Sequence, residues 1–252
     1  MTGTAIVTGG AGDIGQAIAR RLLQDHDTVI LADLDEGGLE QACAALGPRS
    51  RAVRTDVTNP DDCAALAVAA GPLRTLVNNA GAARAASLHA TRLDDWQADR
   101  ALNLDAAFLM FRACADTLQG SVVNIASVNG MGVFGHPAYS AAKAGMIHLT
   151  RLIAVEYGPR GLRANTVAPG TVRTRAWEAR AQANPDVFTE AAAHYPLGRI
   201  VTPRDVGEAV GFLASPLAAA ITGICLPVDC GLTAGTPALA RTFTQSDDYR
   251  SV

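Results

Sequence analysis

Apolar positions along the chain fall into short unbroken runs, separated by longer stretches in which they recur every three or four residues. The runs TAIVT (4–8), TVILAD (28–33), RAVRTDV (51–57), TLVNNAG (75–81), SVVNIAS (121–127), RANTVAPG (163–170) and GICLPVDC (223–230) are expected to be strands. Their cores AIV, VILA, TLV and VVNIA do not alternate with polar residues, the pattern of a strand buried on both faces. Helical spacing predicts helices over 14–24, 36–46, 61–70, 94–118 and 139–157. In the first of these Ile14, Ala17, Ile18 and Leu22 form one stripe, with Arg20, Arg21 and Gln24 away from it. Strand and helix in alternation imply right-handed crossovers and an α/β fold, a parallel sheet covered by helices on both faces.

No repeat or flexible linker divides the chain, so 1–235 is expected to be one domain. Residues 171–200 interrupt the alternation with a charged, alanine-rich helical pattern, a candidate lid at a strand end. The polar tail 236–252 is expected either to be disordered or to pack on a neighbouring subunit.

Composition narrows the partners. With 49% hydrophobic residues in 252, the chain can bury one large core. A net charge of −3 without a basic stripe argues against nucleic acid and anionic membranes, leaving a small molecule or a protein. A strand starting at Thr4 leaves no room for a signal peptide, and no apolar run approaches the roughly 18 residues of a spanning helix, so a cytoplasmic protein is expected. Five cysteines, never spaced C-x-x-C and without matching histidines, read as core thiols and give no metal site.

The candidate chemistry begins at TGGAGDIG, residues 8–15. A glycine-rich turn between strand and helix lets the backbone approach a diphosphate at the positive helix N-terminus. Asp33, about 20 residues on at the next strand end, is placed to accept from ribose hydroxyls and to repel a 2′-phosphate, favouring NAD over NADP. By itself such a residue would be a solvated loop acid. Asp56 and Val57, then Asn79, Ala80 and Gly81, end further strands, and a ligand crevice lies outside those carboxyl ends.

With TGGAGDIG, ADLD, TDV, NNAG, LNL (102–104), NIAS (124–127), YSAAK (139–143) and APG (168–170) in this order, the chain from about residue 3 to 235 resembles the short-chain dehydrogenase/reductase family. The resemblance implies a single-domain, Rossmann-like, doubly wound parallel sheet of about seven strands, hydride exchange between NAD(P) and an alcohol or ketone, and a homotetramer. It places a catalytic tetrad on Asn103, Ser127, Tyr139 and Lys143, with Tyr139 as general acid/base. Tyr139 and Lys143 are four apart, one turn along a helix face, where an ammonium and an oxidised nicotinamide would lower the phenol from near ~10. Ser127 would steady the substrate oxygen, Lys143 the nicotinamide ribose, and Asn103, in a distorted helix, a water. Cofactor contacts carried over are Gly9, Asp13, Ile14, Gly15, Pro169, Gly170, Val172 and Thr174, the last two reaching the carboxamide.

The family pattern is T-G-x-x-x-G-x-G from Thr8; Gly12 also completes a G-x-G-x-x-G, taken as a by-product. Asp13 then replaces the middle glycine. It is expected to cap the helix by accepting first-turn N–H groups, and to act with Asp33 against the extra phosphate of NADP. Substrate contacts are expected from Arg84, Asn129, Val133, His136, Arg175 and Trp177, with Arg173 and Glu178 nearby. Their polarity favours a small hydroxylated secondary alcohol such as a polyol or sugar. The alternatives are a 3-oxoacyl thioester reductase, which Asp33 argues against, and a non-catalytic NAD-binding protein, which the intact tetrad argues against. A serine hydrolase is disfavoured because Ser127 lacks a G-x-S-x-G elbow.

Overall fold

The computed structural model describes residues 3–84, 87–175, 177, 182 and 184–249. Seven parallel strands form one sheet in the order β3-β2-β1-β4-β5-β6-β7: β1 Thr4–Thr8, β2 Thr28–Asp33, β3 Ser50–Arg54, β4 Leu73–Asn78, β5 Leu118–Ile125, β6 Arg163–Pro169 and β7 Cys225–Val228. The helices α1 Asp13–Leu22, α2 Glu36–Leu46, α3 Pro60–Ala70, α4 Leu93–Arg100, α5 Ala106–Cys114 and α6 Pro137–Tyr157 follow the first strands. After β6 come α7 Val187–Ala192, α8 Pro203–Ala214 and α9 Pro237–Thr244.

The non-alternating strands explain the two-sided core. Ala5 and Val7 of β1 face Ile18 and Leu22 of α1 together with Val206, Val210 and Leu213 of α8. Ile6 faces the opposite layer, with Leu66 of α3, Met110 and Phe111 of α5 and Ile153 of α6. The sheet order reverses between β1 and β4, so the loop after Thr8 lies beside the loop after Asn78. That reversal opens the ligand crevice of such folds.

Three elements differ from the sequence reading. The stretch 94–118 is not one helix: α4 and α5 flank a π turn, Ala101–Asp105, and Leu118 already belongs to β5. The helix α8 was not foreseen, although its capping box is visible as Thr202-Pro-Arg-Asp205, with Thr202 Oγ1 accepting from Asp205 N. Of the tail, Pro237–Thr244 forms a helix whose Leu239 and Phe243 are exposed. In the lid segment, α7 and the bridge between Val172 and Val201 are ordered elements; residues 176, 178–181 and 183 lie outside the described residues. Among the described residues no helix is long and apolar enough to cross a membrane, no His/Cys/Asp/Glu group could hold a metal, and all five cysteines are free.

His26 supplies a pH-dependent element of stability. The ring is buried; Nδ1 donates to Leu22 O at 3.0 Å and Nε2 accepts from Thr75 Oγ1 at 2.9 Å, the arrangement of a neutral imidazole. Burial holds its pKa below 6.5. As pH falls through 6.5, the unfolded chain takes up a proton that the folded chain refuses, so stability falls with pH. Denaturant melts between pH 8 and 5 should show this decline, and His26→Gln should flatten it; an unchanged slope would remove His26 from the account.

Candidate active site

The glycine loop folds as the Thr8 register requires. Gly9 has φ +66°, a conformation disfavoured for side-chain-bearing residues, and a Cβ there would meet Asn79 Nδ2. A Cβ on Gly15 would collide with Gly9 O, whereas Gly12 meets only that oxygen at 3.5 Å, so Gly12 is not the residue that the close approach needs. Thr8 Oγ1 accepts from the N–H groups of Asn79 (3.0 Å) and Ala80 (3.1 Å), and Asn79 Nδ2 donates to Thr8 O and Gly9 O. Asn79 thus ties the end of β4 to the loop after β1. Among the described residues no side chain caps α1, whose first intrahelical bond runs from Gln16 N to Gly12 O, so its first-turn N–H groups remain available to an anion.

These groups line a cleft of about 780 Å³ whose wall also includes Ile14, Asp33, Asp56, Val57, Gly81 and Thr174. Asp33 Oδ2 accepts from Ala11 N (3.1 Å) and Oδ1 from Asp35 N (3.2 Å), so it braces the loop and retains acceptor capacity toward the cleft. Asp56 Oδ1 accepts from Thr58 N and Oγ1, and these bonds hold its pKa low. Asp13 does not take the expected capping role. It is the first residue of α1, preceded by Gly12 as N-cap, and its carboxylate accepts from Arg175 N and Nε, both at 2.7 Å. Its charge is met by Arg175.

Beyond Gly81 four side chains converge. Ser127 follows β5 and shares a hydrogen bond with the Tyr139 hydroxyl. Lys143, one turn along α6, sits with Nζ 5.6 Å from the Tyr139 ring centroid and donates to Ile125 O at 2.8 Å. Asn103 lies in the π turn, and its Nδ2 donates to Ala82 O (2.7 Å) and Asp99 O (2.9 Å). A Cβ on Gly81 would stand 2.7 Å from Asn103 Oδ1 and 3.3 Å from Lys143 Nζ, so a glycine is what lets these two groups face the cleft wall. Asn103 Oδ1 is a buried acceptor without a protein partner among the described residues, which suits an ordered water between amide and ammonium.

Electrostatics here depart from expectation. Burial pushes the Tyr139 phenol up, with the Asp99 carboxylate adding to the rise and the Ser127 hydrogen bond opposing it. Burial also pushes Lys143 down to about 7. The chain by itself therefore does not lower the phenol, because the ammonium meant to do so is itself destabilised by lack of water.

A family model described as Enoyl-(Acyl carrier protein) reductase matches residues 9–233. The chain belongs to the short-chain dehydrogenase/reductase family. A solved oxidoreductase of this family from Burkholderia thailandensis is 43% identical, with a TM-score of 0.93 over 98% of this chain and 99% of that one. Among curated relatives, the 2-(S)-hydroxypropyl-CoM dehydrogenase 3 of Xanthobacter autotrophicus is 38% identical over 90% of this chain and 95% of its own length. The cis-4-hydroxycyclohexanecarboxylate dehydrogenase of Sinomonas cyclohexanicum is 39% identical over 91% and 96%.

The remaining positions carried over from the short-chain dehydrogenase/reductase pattern divide. Thr174 lines the cleft, while Pro169, Gly170 and Val172 are not in its wall. The Val172 side chain is buried in the core; the bridge to Val201 uses Thr171 O and Arg173 N, which turns the backbone N–H and C=O of Val172 the other way. Arg175, expected at the substrate, stands instead in the cleft wall beside Gly12 and Asp13. Arg84 is held by the buried Asp99 through Nη1 at 2.6 Å and backbone N at 3.2 Å. Asp99 escaped the sequence reading; its signal is an acid on the buried face, one turn before Asn103. Asn129 is engaged with Ser127, Gly135 O and Ser140, and Val133 is 96% exposed. His136, in a left-handed conformation, begins α6 with its ring 6.5 Å from that of Tyr139. Arg173 stacks on Phe188, and Trp177 follows the turn at Thr174. Glu178 lies outside the described residues.

Proposed function

We propose that this protein is an NAD-dependent oxidoreductase that interconverts a small secondary alcohol and its ketone. The observation that carries this reading is the convergence of Ser127, Tyr139, Lys143 and Asn103 behind Gly81, at the end of a cleft that has an open helix N-terminus and Asp33 in its wall. The first-turn N–H groups of α1 fit a diphosphate, and Asp33 fits an adenosine ribose. A bound oxidised nicotinamide would supply the hydride acceptor and a positive ring charge. Ser127 would hold the substrate oxygen and Tyr139 would take its proton, with Lys143 beside the ring favouring the phenolate. Reduction runs the same proton transfer in reverse.

The preference for a polyol or sugar loses support, because Arg84 and Arg175 are already paired and Met131, Val133 and Phe134 bring exposed apolar surface to the loop before Tyr139. We retain a small secondary alcohol as the substrate class. Following NADH absorbance with polyols, hydroxy acids and cyclic alcohols tests it; turnover confined to long acyl thioesters would replace it with the reductase reading. Exposed Phe108, Leu152 and Val155 on α5 and α6 support the homotetramer, which gel filtration with light scattering checks.

Asp33→Asn removes the charge while the amide oxygen still accepts from Ala11 N, at the cost of the bond from Asp35 N. The NAD-over-NADP preference should fall by about tenfold or more. An unchanged ratio of kcat/KM values would reject Asp33 as the discriminator.

A further inference from the structure

Asp13 and Arg175 are 162 residues apart, yet both stand in the wall of the same cleft. The geometry is a two-point clamp: Arg175 N donates to Asp13 Oδ2 and Arg175 Nε to Oδ1, each at 2.7 Å, so both carboxylate oxygens are occupied. Arg175 Nη2 donates to Ala11 O at 3.2 Å, which leaves Nη1 without a protein partner among the described residues. The side chain of Asp13 is 24% exposed and that of Arg175 65%, and an ion pair this open contributes little to stability. Its position matters more. A carboxylate on the first residue of α1 competes with a bound anion for the same helix-end field, and a lone Asp13 would repel a diphosphate. Arg175 cancels that charge and adds a guanidinium held in a fixed orientation, a fork suited to phosphate oxygens.

Resting on the dinucleotide reading above, we propose that Asp13 and Arg175 act as one unit of the site: Arg175 is a ligand of the organic diphosphate, set in place and charge-balanced by Asp13. The unit explains how an acid occurs inside a phosphate loop. Removing either partner alone is then worse than its bare contact suggests, and removing Arg175 is the worse of the two, because it leaves an uncompensated carboxylate facing the phosphates.

The test is a double-mutant cycle on binding, with dissociation constants for NADH from fluorescence and for ADP-ribose from calorimetry. Arg175→Met should weaken both ligands by about tenfold or more. Adding Asp13→Gly to that variant should recover about threefold or more of the lost affinity, since the repelling charge is gone, but not all of it, since the guanidinium ligand is still missing. Arg175→Lys, which keeps the charge but not the fork, should bind better than Arg175→Met and covers a failure of the latter to fold. Thermal melts establish that the variants are native. The proposal falls if native Arg175→Met, or Arg175→Lys where Met does not fold, matches wild type for both ligands, or if the double variant binds no better than Arg175→Met. Absence of NADH and ADP-ribose binding by the wild-type protein is a different outcome, and overturns the dinucleotide reading itself.

Discussion

Replacing Tyr139 by phenylalanine is expected to lower kcat by about 10³-fold, the scale of a lost general acid–base, while NADH affinity stays within a few-fold of wild type. The ring is retained, so the first turn of α6 and the approach of Lys143 to the aromatic face are kept; only the hydroxyl that bonds Ser127 is deleted. Because burial and Asp99 both hold the phenol up, activity in the oxidative direction should rise with pH through a limb that Tyr139→Phe abolishes. Stopped-flow single turnovers and a pH–rate profile provide the check. A variant with more than a tenth of wild-type kcat would exclude Tyr139 as the proton-transfer group.

Lys143→Met is expected to stabilise the fold while removing activity. The wild-type lysine is 2% exposed, and burial brings its pKa from 10.5 to about 7. Below pH 7 that represents a cost on the order of 4–5 kcal/mol to the folded state. Against it stands the bond from Nζ to Ile125 O, whose loss leaves a buried carbonyl unsatisfied at about 1–3 kcal/mol. The balance favours methionine by a few kcal/mol, or a rise in Tm of about 3–8 °C. The sign of the pH dependence follows from linkage: between 7 and 10.5 the unfolded chain binds the proton that the folded chain has released, so wild-type stability rises with pH and the advantage of the variant shrinks. Melts of both proteins at pH 6, 7.5 and 9 measure this; a destabilised variant at pH 6 would mean that Lys143 serves the fold. Turnover should fall by about 10²-fold or more, since the charge beside the phenolate is gone.

Much of this architecture was legible because its signals are local. The apolar runs AIV and VILA announce strands buried on both faces, and the spacing of Tyr139 and Lys143 puts both on one face of a helix whatever surrounds them. Gly9 and Gly15 announce a close backbone approach that no other residue permits. The break at Ala101–Asp105 was hidden for the opposite reason. A π turn adds one residue without ending the apolar periodicity, so α4 and α5 read as a single helix running into β5. The capping box Thr202-Pro-Arg-Asp205 marks the start of α8, but Gly207 and Gly211 within it weaken the helical signal of the residues that follow.

The amino-acid sequence by itself determined the α/β alternation, the register of the glycine loop from Thr8, and the placing of Tyr139 and Lys143 on one helix face, while Asn103 and Ser127 joined them only through the family resemblance. Each depends on neighbours a few residues apart or on the strand end that a motif occupies. Only the tertiary structure decided the partners of the charges: Asp13 with Arg175, Arg84 with Asp99, and Lys143 with the Ile125 carbonyl. A charge is stabilised by whatever lies within a few ångströms and by the water it loses, and both are set by how distant segments cross. Two residues assigned from sequence to the substrate and to a helix cap thereby became one pair in the wall of the dinucleotide cleft.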